Sequence, residues 1–130
     1  MDCIFCKIVN GEIPCYKIYE DERFIAFLDV SPLSPGHTLL IPKKHVRCVE
    51  DYEPYGKYWE TVRNLSKILQ KVFKPETISY IVYGLGVEHA HIHLVPIYKD
   101  IDPTKKLEKE VIKIPEKEMK EIAKKIRKEI

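Results

Sequence analysis

The segment EHAHIHLVP, residues 88–96, sets His89, His91 and His93 at every second position. Three of the chain's five histidines fall within it. Side chains two apart on a strand share a face, so the imidazoles would line one side and Ala90, Ile92 and Leu94 the other. Three chemistries fit such a row. The first is a metal site, but at a rise of about 3.3 Å per residue only neighbouring rings converge easily on one ion. The second is a set of satisfied polar side chains on a half-exposed strand. The third is phosphoryl chemistry, because a neutral imidazole titrating near 6.5 is a competent nucleophile and its neighbours can orient it or contact phosphate oxygens.

The cysteines carry a second signal. Cys3 and Cys6 form a C-x-x-C pair, while Cys15 and Cys48 are isolated. In a chain kept under reducing conditions the pair points to metal or redox chemistry rather than a structural disulfide. We expect Cys15 and Cys48 to be buried thiols, and a bridge between them stays open.

The elements that must position these residues follow from the hydrophobic pattern. CIFCKIVNGEIP reads as a short helical turn stopped at Asn10-Gly11. CYKIYEDERFIAFLD reads as two strands around a Glu20–Glu22 turn. HTLLIP is a buried strand closed by Pro42. From Glu53 to Lys74 the apolar residues recur at three- and four-residue steps, a long amphipathic helix ended by Lys74-Pro75. ISYIVYG and EHAHIHLVPIY are two more strands, joined by a tight GLGV turn. A C-terminal helix is expected over 113–130, with Pro115 in its first turn and a stripe of Met119, Ile122, Ile126 and Ile130.

Composition narrows the class. The chain has 130 residues, 45% hydrophobic and 32% charged, with a formal charge of +2. We read it as one domain, 1–130, of an ordinary globular kind. The weak net charge gives no reason to expect nucleic-acid binding. No apolar run approaches the roughly 20 residues of a membrane span and no signal-peptide core is visible, so we expect a cytoplasmic protein with no membrane partner.

HAHIHLV matches His, any, His, any, His followed by two apolar residues. CIFCKIVNGEIP, IYEDERFIAFLDVSPLSPGHTLLIPKKH and the triad stand in the same order over most of residues 3–98. In these motifs the chain resembles the histidine triad (HIT) family, in its Hint-like, bacterial-type branch. The resemblance implies an α+β fold: an antiparallel sheet of about five strands, one long helix on a face, and a C-terminal helix. It also implies a homodimer that binds an AMP-like purine nucleotide. The implied reaction is cleavage at the α-phosphorus of nucleoside phosphoramidates or dinucleoside polyphosphates through a nucleotidyl-histidine.

Residue by residue, His91 matches the family's nucleophile, with His93 near the phosphate and His37 at the phosphate site. Asp29 matches the carboxylate that holds the ribose hydroxyls; its spacing alone would read as a turn cap. Phe5, Ile8, Ile13, Phe27, Val30 and Leu39 match the apolar purine slot, although their pattern alone reads as core. Cys3, Cys6, His45 and His89 match the ligands of a structural Zn2+, and two thiolates with two imidazoles suit tetrahedral zinc. Free thiols are the alternative.

One segment departs from the family. The loop before the triad is short, Tyr83 stands where an asparagine is usual, and Leu85 and Gly86 replace a polar pair after Gly84. Gly86 brings no hydroxyl, though the backbone N–H groups of Gly84–Val87 could still cradle a phosphate. Rival readings are therefore a nucleotide-binding sensor or scaffold with little turnover, and a zinc-binding structural protein.

Overall fold

The computed structural model describes residues 3–99 and 111–130. Its elements are α1 (Ile4–Val9), β1 (Lys17–Glu20), β2 (Phe24–Leu28), β3 (Thr38–Pro42), α2 (Tyr55–Phe73), β4 (Thr77–Ile81), β5 (Ile92–Ile97) and α3 (Glu116–Lys128), with a short 3-10 turn at Val49–Asp51. The five strands form one antiparallel sheet in the order β1-β2-β3-β5-β4. This is the α+β architecture expected.

Local chemistry explains the boundaries. α1 opens on Cys3, whose sulfur accepts the Cys6 N–H at 3.3 Å, and closes at Asn10 before Gly11 at φ +76°. The β1–β2 turn is held by Asp21, whose carboxylate accepts the Arg23 and Phe24 N–H groups at 2.7 Å each. α2 ends where Lys74 turns left-handed and returns its N–H to the Gln70 carbonyl. The next residue, Pro75, cannot continue a helix.

Every residue of β2 and β3 is buried, because the sheet is covered on both faces. Phe24, Ala26, Leu28, Leu40, Ile92 and Leu94 pack under α2 and α3 in the main core, with Tyr58, Val62, Leu65 and Leu69 supplied by the α2 stripe. Each fully buried Leu, Ile, Val or Phe of this core contributes roughly 1.5–3 kcal/mol. Tyr58 satisfies its buried hydroxyl on the Leu40 carbonyl at 2.7 Å. On the other face Ile25, Phe27, Leu39 and Ile41 meet Cys3 and Phe5 from α1. That second face carries the site.

Three expectations are corrected. β5 begins at Ile92, so His93 alone of the triad lies on a strand, and residues 82–91 form an irregular loop rather than a tight turn. The register gives the reason: continued past Leu40↔Ile92, the β3–β5 ladder would set His91 against Ile41 and then Ala90 against Pro42, which has no N–H. Ala90 instead donates to the Val46 carbonyl at 2.8 Å. Cys15 and Cys48 are unbridged and only half-buried, since each stands beside an open cavity. α3 starts after Pro115 and stops at Lys128, so Ile130 is exposed while Met119, Ile122, Ala123 and Ile126 are buried. Among the described residues no helix is long and apolar enough to cross a membrane.

Candidate functional site

Two clusters meet at the segment before β5, and backbone hydrogen bonds determine which ring nitrogens are free in each. His89, fully buried, directs Nε2 to the Pro42 carbonyl at 2.8 Å. A carbonyl can only accept, so Nε2 carries the hydrogen and Nδ1 keeps the lone pair. That Nδ1 faces the Cys3 sulfur at 3.3 Å, the Cys6 sulfur at 3.5 Å and His45 Nδ1 at 3.1 Å, and the Cys6 sulfur lies 3.2 Å from His45 Nδ1. All four donor atoms lie within 4.8 Å of one another, a cluster that could hold a metal ion. A ring fixed through its outer nitrogen to a backbone carbonyl is how metal-ligating histidines are oriented. Burial, and then the hydrogen bond and charge of Cys3, push the Cys6 thiol up to about 11. A bound cation would reverse that preference by stabilising the thiolate.

Asp29, His37 and His93 form a second group with donor atoms equally close, but its hydrogen bonds have another sense. His37 Nδ1 accepts the Leu33 N–H at 2.9 Å, so its hydrogen sits on Nε2 and donates to His93 Nδ1 at 2.9 Å. Neither nitrogen of His37 is then free for a metal. His93 in turn carries its hydrogen on Nε2, a donor on a ring that lines the cleft. Burial lowers His37 to about 4; burial, then the neighbouring His37 and His91, lower His93 to about 4. Both rings are neutral near pH 7. Asp29 accepts the Ser31 N–H at 2.8 Å and sets its other oxygen 3.6 Å from His37 Nε2. Burial pushes its carboxyl up, opposed first by the Ser31 amide and then by His93 and His91.

Between the clusters stands His91, only 7% exposed. Its Nδ1 lies 2.7 Å from the His89 carbonyl and must donate, so the neutral ring bears its lone pair on Nε2. Phe5 holds the ring edge-on at 5.2 Å between centroids, and His93 lies at 5.3 Å.

A cleft of about 650 Å³ opens here. Of the residues expected at the site, Phe5, Ile8, Ile13, Phe27, Asp29, Val30, Leu39, Gly86, His91 and His93 all line it. Val30 is 76% exposed and forms its rim. Gly84 instead borders an adjoining cavity of about 240 Å³ with Arg47, Cys48, Glu50, Tyr83 and His91. His37 does not line the cleft; it stands behind His93 and Asp29, which do. Gly84 and Gly86 both have positive φ, +69° and +86°, so the loop turns through two left-handed residues. Reading the sequence missed Ile4, Pro14, Cys15, Leu28, Tyr83, Leu85 and Val87 as parts of the wall. Cys15 had a readable signal, its place directly after Ile13-Pro14; Tyr83, Leu85 and Val87 lay in the loop already singled out, but the direction of their side chains depends on the glycine conformations.

The arrangement combines an imidazole with a free lone pair, a neutral N–H donor beside it, a carboxylate and an apolar slot. The chain is 38% identical over 101 residues to the adenosine 5'-monophosphoramidase hnt1 of Schizosaccharomyces pombe, covering 74% of each. Its fold matches a Hit-like protein of Bartonella henselae at a TM-score of 0.84 and 33% identity, over 99% of this chain and 97% of that one. It matches a zinc-bound histidine triad family protein of Mycobacterium smegmatis at 0.81 and 27%, over 99% and 93%. The family model of the HIT domain aligns with residues 10–100, and the chain belongs to that family.

Proposed function

We propose that the protein is a purine-nucleotide hydrolase or transferase that cleaves at the α-phosphorus of nucleoside phosphoramidates or dinucleoside polyphosphates. His91 Nε2 attacks phosphorus, forming a nucleotidyl-histidine that water then opens. His93 donates its Nε2–H to a phosphate oxygen, and His37 holds His93 in the tautomer that makes this possible. Asp29 accepts from the ribose hydroxyls, and the slot of Phe5, Ile8, Ile13, Phe27 and Leu39 takes the base. The reading is carried by one observation, the 2.7 Å contact from His91 Nδ1 to the His89 carbonyl, which places the neutral ring's lone pair on Nε2 in a residue that lines the cleft. A relative named as an adenosine 5'-monophosphoramidase supports the substrate class.

Cys3, Cys6, His45 and His89 would hold a structural zinc; when bound, it supplies folding energy by fixing α1 to the segment before β5. The zinc-bound mycobacterial neighbour supports that identity of the ion. A thiolate site suits the reducing cytoplasm. A homodimer fits the edge position of β4, with Tyr80, Val82 and Tyr83 exposed beside it.

The test is intact-protein mass spectrometry after brief mixing with an AMP phosphoramidate. A covalent AMP adduct should appear and map to His91. No adduct at any quench time, or one on another residue, would sink the mechanism. The second reading, a nucleotide sensor with little turnover, is favoured by Gly86, which brings no hydroxyl to the phosphate; nucleotide binding without adduct or product would establish it.

A further inference from the structure

Expelling an amine or alkoxide from phosphorus requires a proton for the departing atom, unless that atom leaves as a stable anion. Among the described residues lining the cleft, the side chains that can carry an exchangeable proton are Cys15, Asp29, Tyr83, His91 and His93. His91 is committed as nucleophile. His93 is held neutral, and a neutral imidazole N–H is a hydrogen-bond donor but a very weak acid. Asp29 acts as acceptor, toward the Ser31 N–H and across from His37. Cys15 stands on the wall formed with Pro14 and Val30, where the cleft continues into a separate groove lined by Lys17 and Arg127. Tyr83 remains. Its ring meets His93 edge-on, 5.3 Å between centroids at 81°. Its phenol is the only hydroxyl group among the described cleft residues. Tyr83 and His91 are also the two residues shared by the cleft and the adjoining smaller cavity, so phenol and nucleophile border the same passage.

We propose that Tyr83 is a catalytic residue of this site, the acid that protonates the leaving group, in place of any hydroxyl on the glycine loop. The inference rests on the nucleotidyl-transfer reading above. A phenol is a far stronger acid than a neutral imidazole and is well matched to an alkylamine, which holds its proton with similar affinity. In the first step the His91 Nε2–phosphorus bond forms while the phosphorus–nitrogen bond breaks. The electron pair of the broken bond stays on the departing nitrogen, which takes the phenol proton and leaves a phenolate. In the second step water attacks phosphorus, the bond to Nε2 breaks with its pair returning to His91, and the phenolate takes the water's proton. One water is consumed, nucleotide and amine are released, and Tyr83 is restored.

Tyr83 is 45% exposed, so Tyr83→Phe keeps the ring against His93 and removes only the hydroxyl. The experiment compares an alkylamine phosphoramidate of AMP with the p-nitrophenyl ester of AMP, whose leaving group departs as a stable anion. We expect kcat for the amine substrate to fall by about 10²-fold or more, and kcat for the ester to fall far less. AMP affinity should hold, and the adduct on His91 should still form from the ester. Equal losses on both substrates would make Tyr83 a positioning residue for His93 and overturn the assignment. So would unchanged amine turnover. A wild-type protein that forms no His91 adduct from either substrate would overturn the proposed function and this inference together; a normal wild-type adduct with a silent Tyr83→Phe overturns the inference alone.

Discussion

An imidazole attacks only through the nitrogen that keeps its lone pair, and in this protein the backbone decides which one that is. The His89 carbonyl takes the His91 Nδ1 hydrogen, and the Leu33 amide takes the His37 Nδ1 lone pair. These two bonds give adjacent rings opposite roles. His91→Asn should therefore abolish turnover by about 10³-fold or more while AMP still binds. His93→Asn, losing one donor to the developing phosphate charge, should cost about 10²-fold. Steady-state rates with calorimetric AMP affinities check both, and equal losses would refute the division of roles. Acidity gives a second prediction. His37 and His93 sit near 4 in the folded chain, against about 6.5 unfolded. Between those values the unfolded state binds more protons, so stability is complete above about pH 6.5 and declines as pH falls toward 4. Asp29, raised by burial, works the other way at the acid end, and His91 also faces this group. The Tm measured from pH 7 to 4 should fall, and His93→Asn should flatten the slope. Identical slopes would show that His93 takes up no extra proton on unfolding.

Element types were largely legible, because α2 and the strands announce themselves by period. The histidine spacing also predicted correctly that Ala90, Ile92 and Leu94 face the core. What it could not show was where the ladder stops. The alternation continues through His89, but the position that Ala90 would pair with is Pro42, and a missing N–H on another strand leaves no mark in the residues 88–96. His89 is freed by that break to turn toward Cys3 and Cys6. Of the candidate site, the residue types were readable and the tautomers were not, since each depends on a carbonyl or amide distant in sequence. The Cys/His cluster joins α1, the loop after β3 and the segment before β5 at one point. Zinc content by plasma emission should be about one per chain. Chelation, or Cys6→Ser, should lower Tm by about 10 °C or more, as losses of structural metals do. Metal-free protein with an unchanged Tm would leave the cysteines as free thiols.

Across the whole molecule, covering both sheet faces leaves the strand edges as the open surface. β1 has its outer side beside α3, where Arg127 donates to the Lys17 carbonyl at 2.7 Å. β4 presents its edge with Tyr80 and Val82 exposed, a row that a second copy would cover. Sedimentation should give twice the 15.3 kDa chain mass, and Val82→Asp should shift it toward the monomer. A monomeric wild type would refute the dimer. The cluster of Cys3, Cys6, His45 and His89 has a further consequence, in the order of synthesis. Cys6 emerges from the ribosome 83 residues ahead of His89. At about 5–20 residues per second, the two thiols wait roughly 4–17 s with His45 as the one other donor of the cluster already made. Throughout that interval they are open to oxidation and to whichever soft cation arrives first. His91 follows His89 by two residues, so in the proposed roles the last metal donor and the nucleophile would leave the ribosome almost together.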